Sequence, residues 1–183
     1  MAKKIGAIVS LSIIGILIIL TIVTASVKVN HRIDCEKPQI VWVNAAGGDI
    51  EAKDDASKIV EYINNASKEN CLSAFFGGNL DATAEVVEET GTVTIDNTDT
   101  IYVRYHYAEK QDLTQGKEIY KDANGKTYQY QDLLFEIQNT DGAEIVKAYV
   151  IPDSNVNAGL KYSHYYNVWA DFSDLYEYLN GRY

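Results

Sequence analysis

The chemically versatile side chains of this 183-residue sequence are three histidines, two cysteines and fourteen tyrosines. His106 lies in an alternating run, Thr100–Tyr107, on the same side as Tyr102 and Arg104. His164 shares a side with Tyr162 and Tyr166. If those two sides meet, the imidazoles and a carboxylate such as Glu109 or Asp171 would form acid–base equipment or a metal site, because imidazole changes charge near neutral pH. His31 stands in a polar stretch and reads as a solvated side chain. No Gly-x-Ser-x-Gly elbow or catalytic cysteine context is present, and no phosphate-cradling glycine pattern occurs. Asp122-Ala123-Asn124-Gly125 lacks the later ligand positions of a calcium loop and reads as a turn. The expectation is therefore no cofactor, no resident metal and no catalytic residue. The alternative is an envelope hydrolase or metal-dependent enzyme built on His106 and His164.

Tyrosine is the most unusual feature. Thirteen of the fourteen lie beyond residue 100, on segments that read as strands. Tyr suits strands and carries an amphipathic ring, so packing explains many of them. The remainder suggest a binding face, since rigid rings bind partners at low entropic cost. The candidate binding residues are Tyr102, His106, Tyr162, His164, Tyr166 and Trp169, with a protein or glycan as partner.

These residues need a scaffold. Gln39–Asn44 reads as a short strand. After Asp49 as N-cap, Ala52, Ala56, Ile59, Val60, Ile63 and Ala66 recur at helical spacing, which predicts a helix from Ile50 to Glu69. Asp81–Glu89 reads as a second, short helix. From Gly91 the pattern turns to period two. Strands are expected over Thr92–Asp96, Thr100–Tyr107, Lys117–Lys121, Lys126–Asn139, Ile145–Ile151 and Lys161–Phe172, with turns at Asn124-Gly125 and Gly142. Ser173 would cap a last helix, Asp174–Asn180. The predicted fold class is α+β: a mostly antiparallel sheet of about five strands with two or three helices.

Ile5–Val27 contains no charged residue, Asn, Gln or Pro, and Lys3 and Lys4 precede it. A helix of that length crosses a hydrocarbon core of about 30 Å, so a transmembrane helix over 5–27 is expected. It would follow a cytoplasmic tail, 1–4, and carry a stalk, 28–37, and an extracytoplasmic domain, 38–183. Basic residues are near parity on the two sides, Lys3 and Lys4 against Lys28, Arg32 and Lys37, and the very short tail, the two cysteines and the Tyr-rich, acidic body favour the domain outside the cytoplasm at the cell membrane. Past residue 27 the chain holds 26 acidic and 14 basic side chains, a formal charge of −12, which disfavours nucleic acid as a partner. In an oxidising compartment Cys35 and Cys71 would form a disulfide, closing a loop worth roughly 4 kcal/mol in the chain-entropy model. The functional expectation is a single-pass, membrane-anchored binding or assembly domain without enzymatic activity; a structural subunit of an envelope complex is a further alternative.

Overall fold

The computed structural model describes residues 12–23, 28–30, 33–44, 48–66, 68–70, 84–95, 100–154 and 159–183. Two compact units are present: Met1–Val29 with Glu69–Ala82, and Asn30–Lys68 with Thr83–Tyr183.

The first unit carries the apolar stretch and corrects the membrane assignment. Among the described residues no helix is long and apolar enough to cross a membrane. The described helix here, α1, covers residues 12–23. Twelve residues at about 1.5 Å each reach about 18 Å, well short of a core about 30 Å thick. The rest of the apolar run, residues 5–11 and 24–27, lies outside the described residues. The single-pass, signal-anchor reading is withdrawn. Strands β1 (Lys28–Asn30) and β4 (Lys68–Asn70) form a two-stranded sheet of their own.

The second unit is mostly sheet. Its strands are β2 (Ile40–Asn44), β3 (Ile50–Glu51), β5 (Glu85–Val87), β6 (Gly91–Val93), β7 (Thr100–Asp112), β8 (Thr114–Gln115), β9 (Glu118–Ile119), β10 (Gln129–Gln138), β11 (Glu144–Ile151), β12 (Leu160–Tyr162) and β13 (His164–Ala170). Its helices are α2 (Ala56–Ala66) and α3 (Ser173–Leu179). Seven strands form one sheet in the order β3-β2-β7-β10-β11-β13-β5, and every pairing in it is antiparallel. The expected α+β balance with about five strands is thus replaced by a seven-stranded sheet with few helices. Two segments account for the change. Ile50–Glu51 pairs with Val43 and Trp42 instead of opening a helix. Glu85–Val87 pairs with β13 as an edge strand where a helix was expected, its Val pair supplying strand propensity; the beginning of that predicted helix, 81–83, lies outside the described residues.

The helix-backed face of the sheet is the main core. Val41, Val43, Val103, Tyr105, Leu133, Phe135, Ala148, Val150, Tyr166 and Val168 pack there against Ile59 and Ile63 of α2 and Leu175 and Leu179 of α3. Helix α2 starts later than its periodicity implies: Ile59 N–H donates to the Asp55 carbonyl. The Asp55 carboxylate accepts from the Tyr178 and Tyr183 hydroxyls, tying the C-terminal turn to the start of α2. Those two bonds hold its carboxyl below the usual range. Ile33, inside the expected stalk, joins this core.

No sulfur pair at bonding distance is found among the described residues, so the expected Cys35–Cys71 disulfide is not supported. Cys71 lies outside the described residues. The Cys35 thiol instead lies beside the buried Tyr107 hydroxyl. Burial, and then the neighbouring thiol, push that hydroxyl far above the ordinary tyrosine range. Two cysteines at a loop-closing separation are compatible with a bridge but do not specify one, because bridging requires the two Cβ vectors to converge.

The open edge at β5 is closed by a side chain. Val86 N–H donates to Gln115 Oε1 at 2.8 Å, and Gln115 Nε2 donates to the Ala84 carbonyl at 2.8 Å. One glutamine amide therefore satisfies the donor and acceptor that a further strand would otherwise take.

Candidate functional site

Directly paired residues of antiparallel strands point to the same side of a sheet, so register decides which candidates meet. His106 pairs with Asp132 and with Ile40, and Asp132 with Ile151. His164 pairs with Val150, which pairs with Leu133 and, through it, Tyr105. The two histidines therefore stand on opposite faces. The shared acid–base or metal site that would use both imidazoles has no geometry to support it.

His164 is 1 % exposed and packs in the helix-backed core. Its Nδ1 is 2.9 Å from Ser163 Oγ, and the Tyr128 and Tyr120 rings stand edge-on at 4.3 and 5.6 Å. Its Nε2 is buried without a hydrogen bond. Burial lowers its pKa, opposed by Glu88 and Asp122 and reinforced by Lys126. Tyr166 is also core: its hydroxyl accepts from Thr114 N–H and donates to the Thr114 carbonyl, and burial pushes it up to about 12. His31 lies outside the described residues.

The opposite face carries the other candidates in two groups. The first is a polar cluster around Asp132, which is fully buried. Its carboxylate receives Arg104 Nη2 at 3.0 Å, His106 Nδ1 at 2.6 Å and Ser154 Oγ at 2.6 Å. Arg104 also reaches Asp49 at 3.4 Å and lies 4.7 Å over the Trp42 ring, which packs 5.1 Å from His106. An aspartate on Nδ1 is how acid–base histidines are oriented. Here, however, the neighbouring serine hydroxyl bonds the carboxylate and sits on the Nδ1 side, 3.2 Å away. A nucleophile served by this histidine would have to lie at Nε2, and among the described residues none does. The cluster's evident work is to neutralise a buried guanidinium and carboxylate. Among the described residues no group of three metal-ligating side chains occurs.

The second group is an aromatic and acidic wall. Tyr149, Tyr162 and Tyr165 lie with ring centroids 4.8, 6.2 and 6.4 Å apart. Tyr162 and Tyr165 donate to Glu89 at 3.2 and 3.3 Å, and Tyr149 and Tyr102 to Glu136 at 3.2 and 3.5 Å. Burial, with the Glu136 charge beside it, drives the Tyr149 hydroxyl well above its ordinary value. Tyr102 is itself buried in this second core with Leu134, Ile151 and Leu160. Gly91 faces Tyr162 across the β6–β12 pair, and a Cβ there would lie 2.5 Å from the Tyr162 hydroxyl oxygen. The absence of a side chain at Gly91 is what lets the ring lie over the strand.

Beyond this wall the face ends in exposed apolar side chains. Ile145 and Trp169 are directly paired on β11 and β13, and are 64 % and 37 % exposed. Lys147, two residues along, holds its ammonium 4.3 Å over the Tyr165 ring. Of the residues singled out from sequence, Tyr102, His106, Tyr162 and Trp169 belong to this side of the domain, and His164 and Tyr166 do not. Sequence reasoning missed Asp132, Ser154, Ile145 and Lys147. Ile145 was detectable: it alternates with Lys147, placing a large aliphatic side chain on the polar side of its strand.

No family model matches the chain, and no characterised protein or solved structure is similar to it.

Proposed function

We propose that this protein is a non-enzymatic binding module that engages a protein partner through the β11–β13 end of its sheet. The observation that carries this reading is the exposed Ile145–Trp169 pair. Two large apolar side chains opposite one another on neighbouring strands form a contiguous patch, whereas singly scattered ones are ordinary. Aromatic residues ringed by polar groups are also the composition enriched at protein interfaces. The buried Asp132 cluster supports the same reading, because its carboxylate is engaged by Arg104, His106 and Ser154 inside the protein. An aliphatic isoleucine beside the indole favours a protein over a glycan, which needs polar groups for its hydroxyls.

A photo-crosslinking amino acid placed at Ile145 of the full chain, in the source cells, tests the proposal. A discrete adduct at 145, absent when the same group replaces exposed Glu61 on α2, is expected. Equal labelling at both positions, or none at 145, would overturn it.

A further inference from the structure

The chemistry beside the exposed pair points to a particular kind of partner, and this step rests on the binding reading above. We infer that the Ile145–Trp169 end takes a cationic segment of another protein, in which Lys or Arg side chains flank an apolar one.

Three observations carry the inference. First, the tyrosine wall already accommodates an ammonium group. Lys147 Nζ lies 4.3 Å over the Tyr165 ring, the placement in which a ring's negative face attracts a cation. Lys147 fills that ring face itself, so a partner's lysine or arginine would displace it or bind the neighbouring carboxylates.

Second, the carboxylates of this face are positioned by tyrosines. Glu89 is exposed and receives the Tyr162 and Tyr165 hydroxyls at 3.2 and 3.3 Å. Glu136 receives Tyr149 and Tyr102 at 3.2 and 3.5 Å. Each acid retains acceptor capacity, since an ionised carboxylate offers about four lone-pair sites. Exposed Glu85 lies on β5 nearby and pairs with Asn167, two residues from Trp169 on the same side of β13.

Third, the whole chain carries a formal charge of −10. A field of that sign steers basic partners toward the surface and repels acidic ones, a second copy of this chain included. Apolar burial at Ile145 and Trp169 would supply affinity, and the surrounding acids would supply sign selectivity.

The test is selection of a displayed random-peptide library on the full chain, with binders counter-screened against the Ile145→Ser/Trp169→Ser double variant. Basic peptides with an apolar centre, lost on the double variant, are the expected result. Raising salt from about 0.05 to about 0.5 M should then weaken such a peptide by about tenfold, and Glu89→Gln by about threefold. Neutral or acidic peptides that still require Ile145 and Trp169 would overturn the cationic inference and leave the binding face standing. Binders indifferent to the double variant, or no binders, would overturn the binding face itself. The salt measurement needs no substitution, so a misfolded variant cannot mask the outcome.

Discussion

The two faces of the seven-stranded sheet solve the problem of burial in different ways. The helix-backed face is filled largely by Val, Leu, Ile, Ala and aromatic side chains, and α2 and α3 exclude water from it. The opposite face has a smaller apolar centre and is completed by charges, with Arg104, His106, Ser154 and Asp49 gathered around Asp132 and Trp42 and tyrosine–glutamate pairs farther along. A face closed by apolar packing has nothing left to offer a ligand. A face closed by hydrogen bonds leaves aromatic edges, carboxylates and, at its end, Ile145 and Trp169 within reach of a partner. The contrast is what favours the second face in the proposed binding reading.

The sharpest way to break this comparison uses neighbouring residues. Asp132 and Leu133 are both fully buried and point to opposite faces. Asp132→Ala strips Arg104 of its closest carboxylate inside the protein, and should cost about 3–5 kcal/mol, the usual penalty for breaking a buried pair. Leu133→Ala leaves a cavity and should cost about 2–5 kcal/mol. The distinguishing step is the Arg104→Met/Asp132→Leu double variant. Replacing both charges should recover much of the Asp132→Ala loss, as buried ion pairs exchange for apolar groups at little net cost. Urea unfolding midpoints read all three; a double variant as unstable as Asp132→Ala would show that the cluster contributes more than charge balance.

Much of the second unit is legible in sequence, and the illegible parts have identifiable causes. Alternation over Thr100–Tyr107 correctly puts Tyr102, Arg104 and His106 on one side. The hairpin around Asn124-Gly125 is readable because its chemistry is local: Asp122 Oδ1 accepts from Asn124 and Lys126 N–H, and Gly125 has φ +78°. What cannot be read is anything set by pairing between distant strands. Each of the strands bearing His106 and His164 shows its own alternation, but which side of the sheet each takes depends on β10 and β11 between them. Asp132 is hidden for a related reason. A register shift between Tyr130 and Asp132 changes the parity of β10, so a period-two count begun at Tyr128 or Tyr130 assigns the wrong sides. Helix α2 is over-extended from sequence because helical spacing continues past both of its ends, where pairing of Ile50–Glu51 and Lys68–Asn70 prevails.

A gentler perturbation addresses the aromatic wall. Gly91→Ala introduces a methyl group 2.5 Å from the Tyr162 hydroxyl oxygen, so the ring must lift from its strand. An overpacking cost of about 1–3 kcal/mol is expected, at the lower end because the far end of a side chain can move. The Tyr162 ring resonances and its contact with Tyr149 should shift, while those of Tyr105 on the helix-backed face should not.

The helix-backed face has its own weak point in His164. Burial lowers its folded pKa below the unfolded value of about 6.5, so the unfolded chain binds the extra proton first. Its contribution is complete above that value and is lost as pH falls through the lowered one. Glu88 and Asp122 oppose the shift, Lys126 reinforces it, and Tyr120 and Tyr128 complete the surroundings. Urea midpoints should fall on acidification below about pH 6.5, and His164→Phe should flatten that part of the profile. An unchanged slope in the variant would assign the acid sensitivity to other groups.

The smallest stability effect belongs to a residue given a large role in recognition. Ile145 is 64 % exposed and Trp169 only 37 %, so Ile145→Ser should cost no more than about 1 kcal/mol, the scale of one cross-strand pair, and Trp169→Ser should cost more because most of the indole is covered. A loss of about 2 kcal/mol or more for Ile145→Ser in urea unfolding would mean that this side chain holds the strand ends together, which would remove the argument for a partner. Unchanged stability with altered partner capture separates the face that folds the protein from the face that displays it.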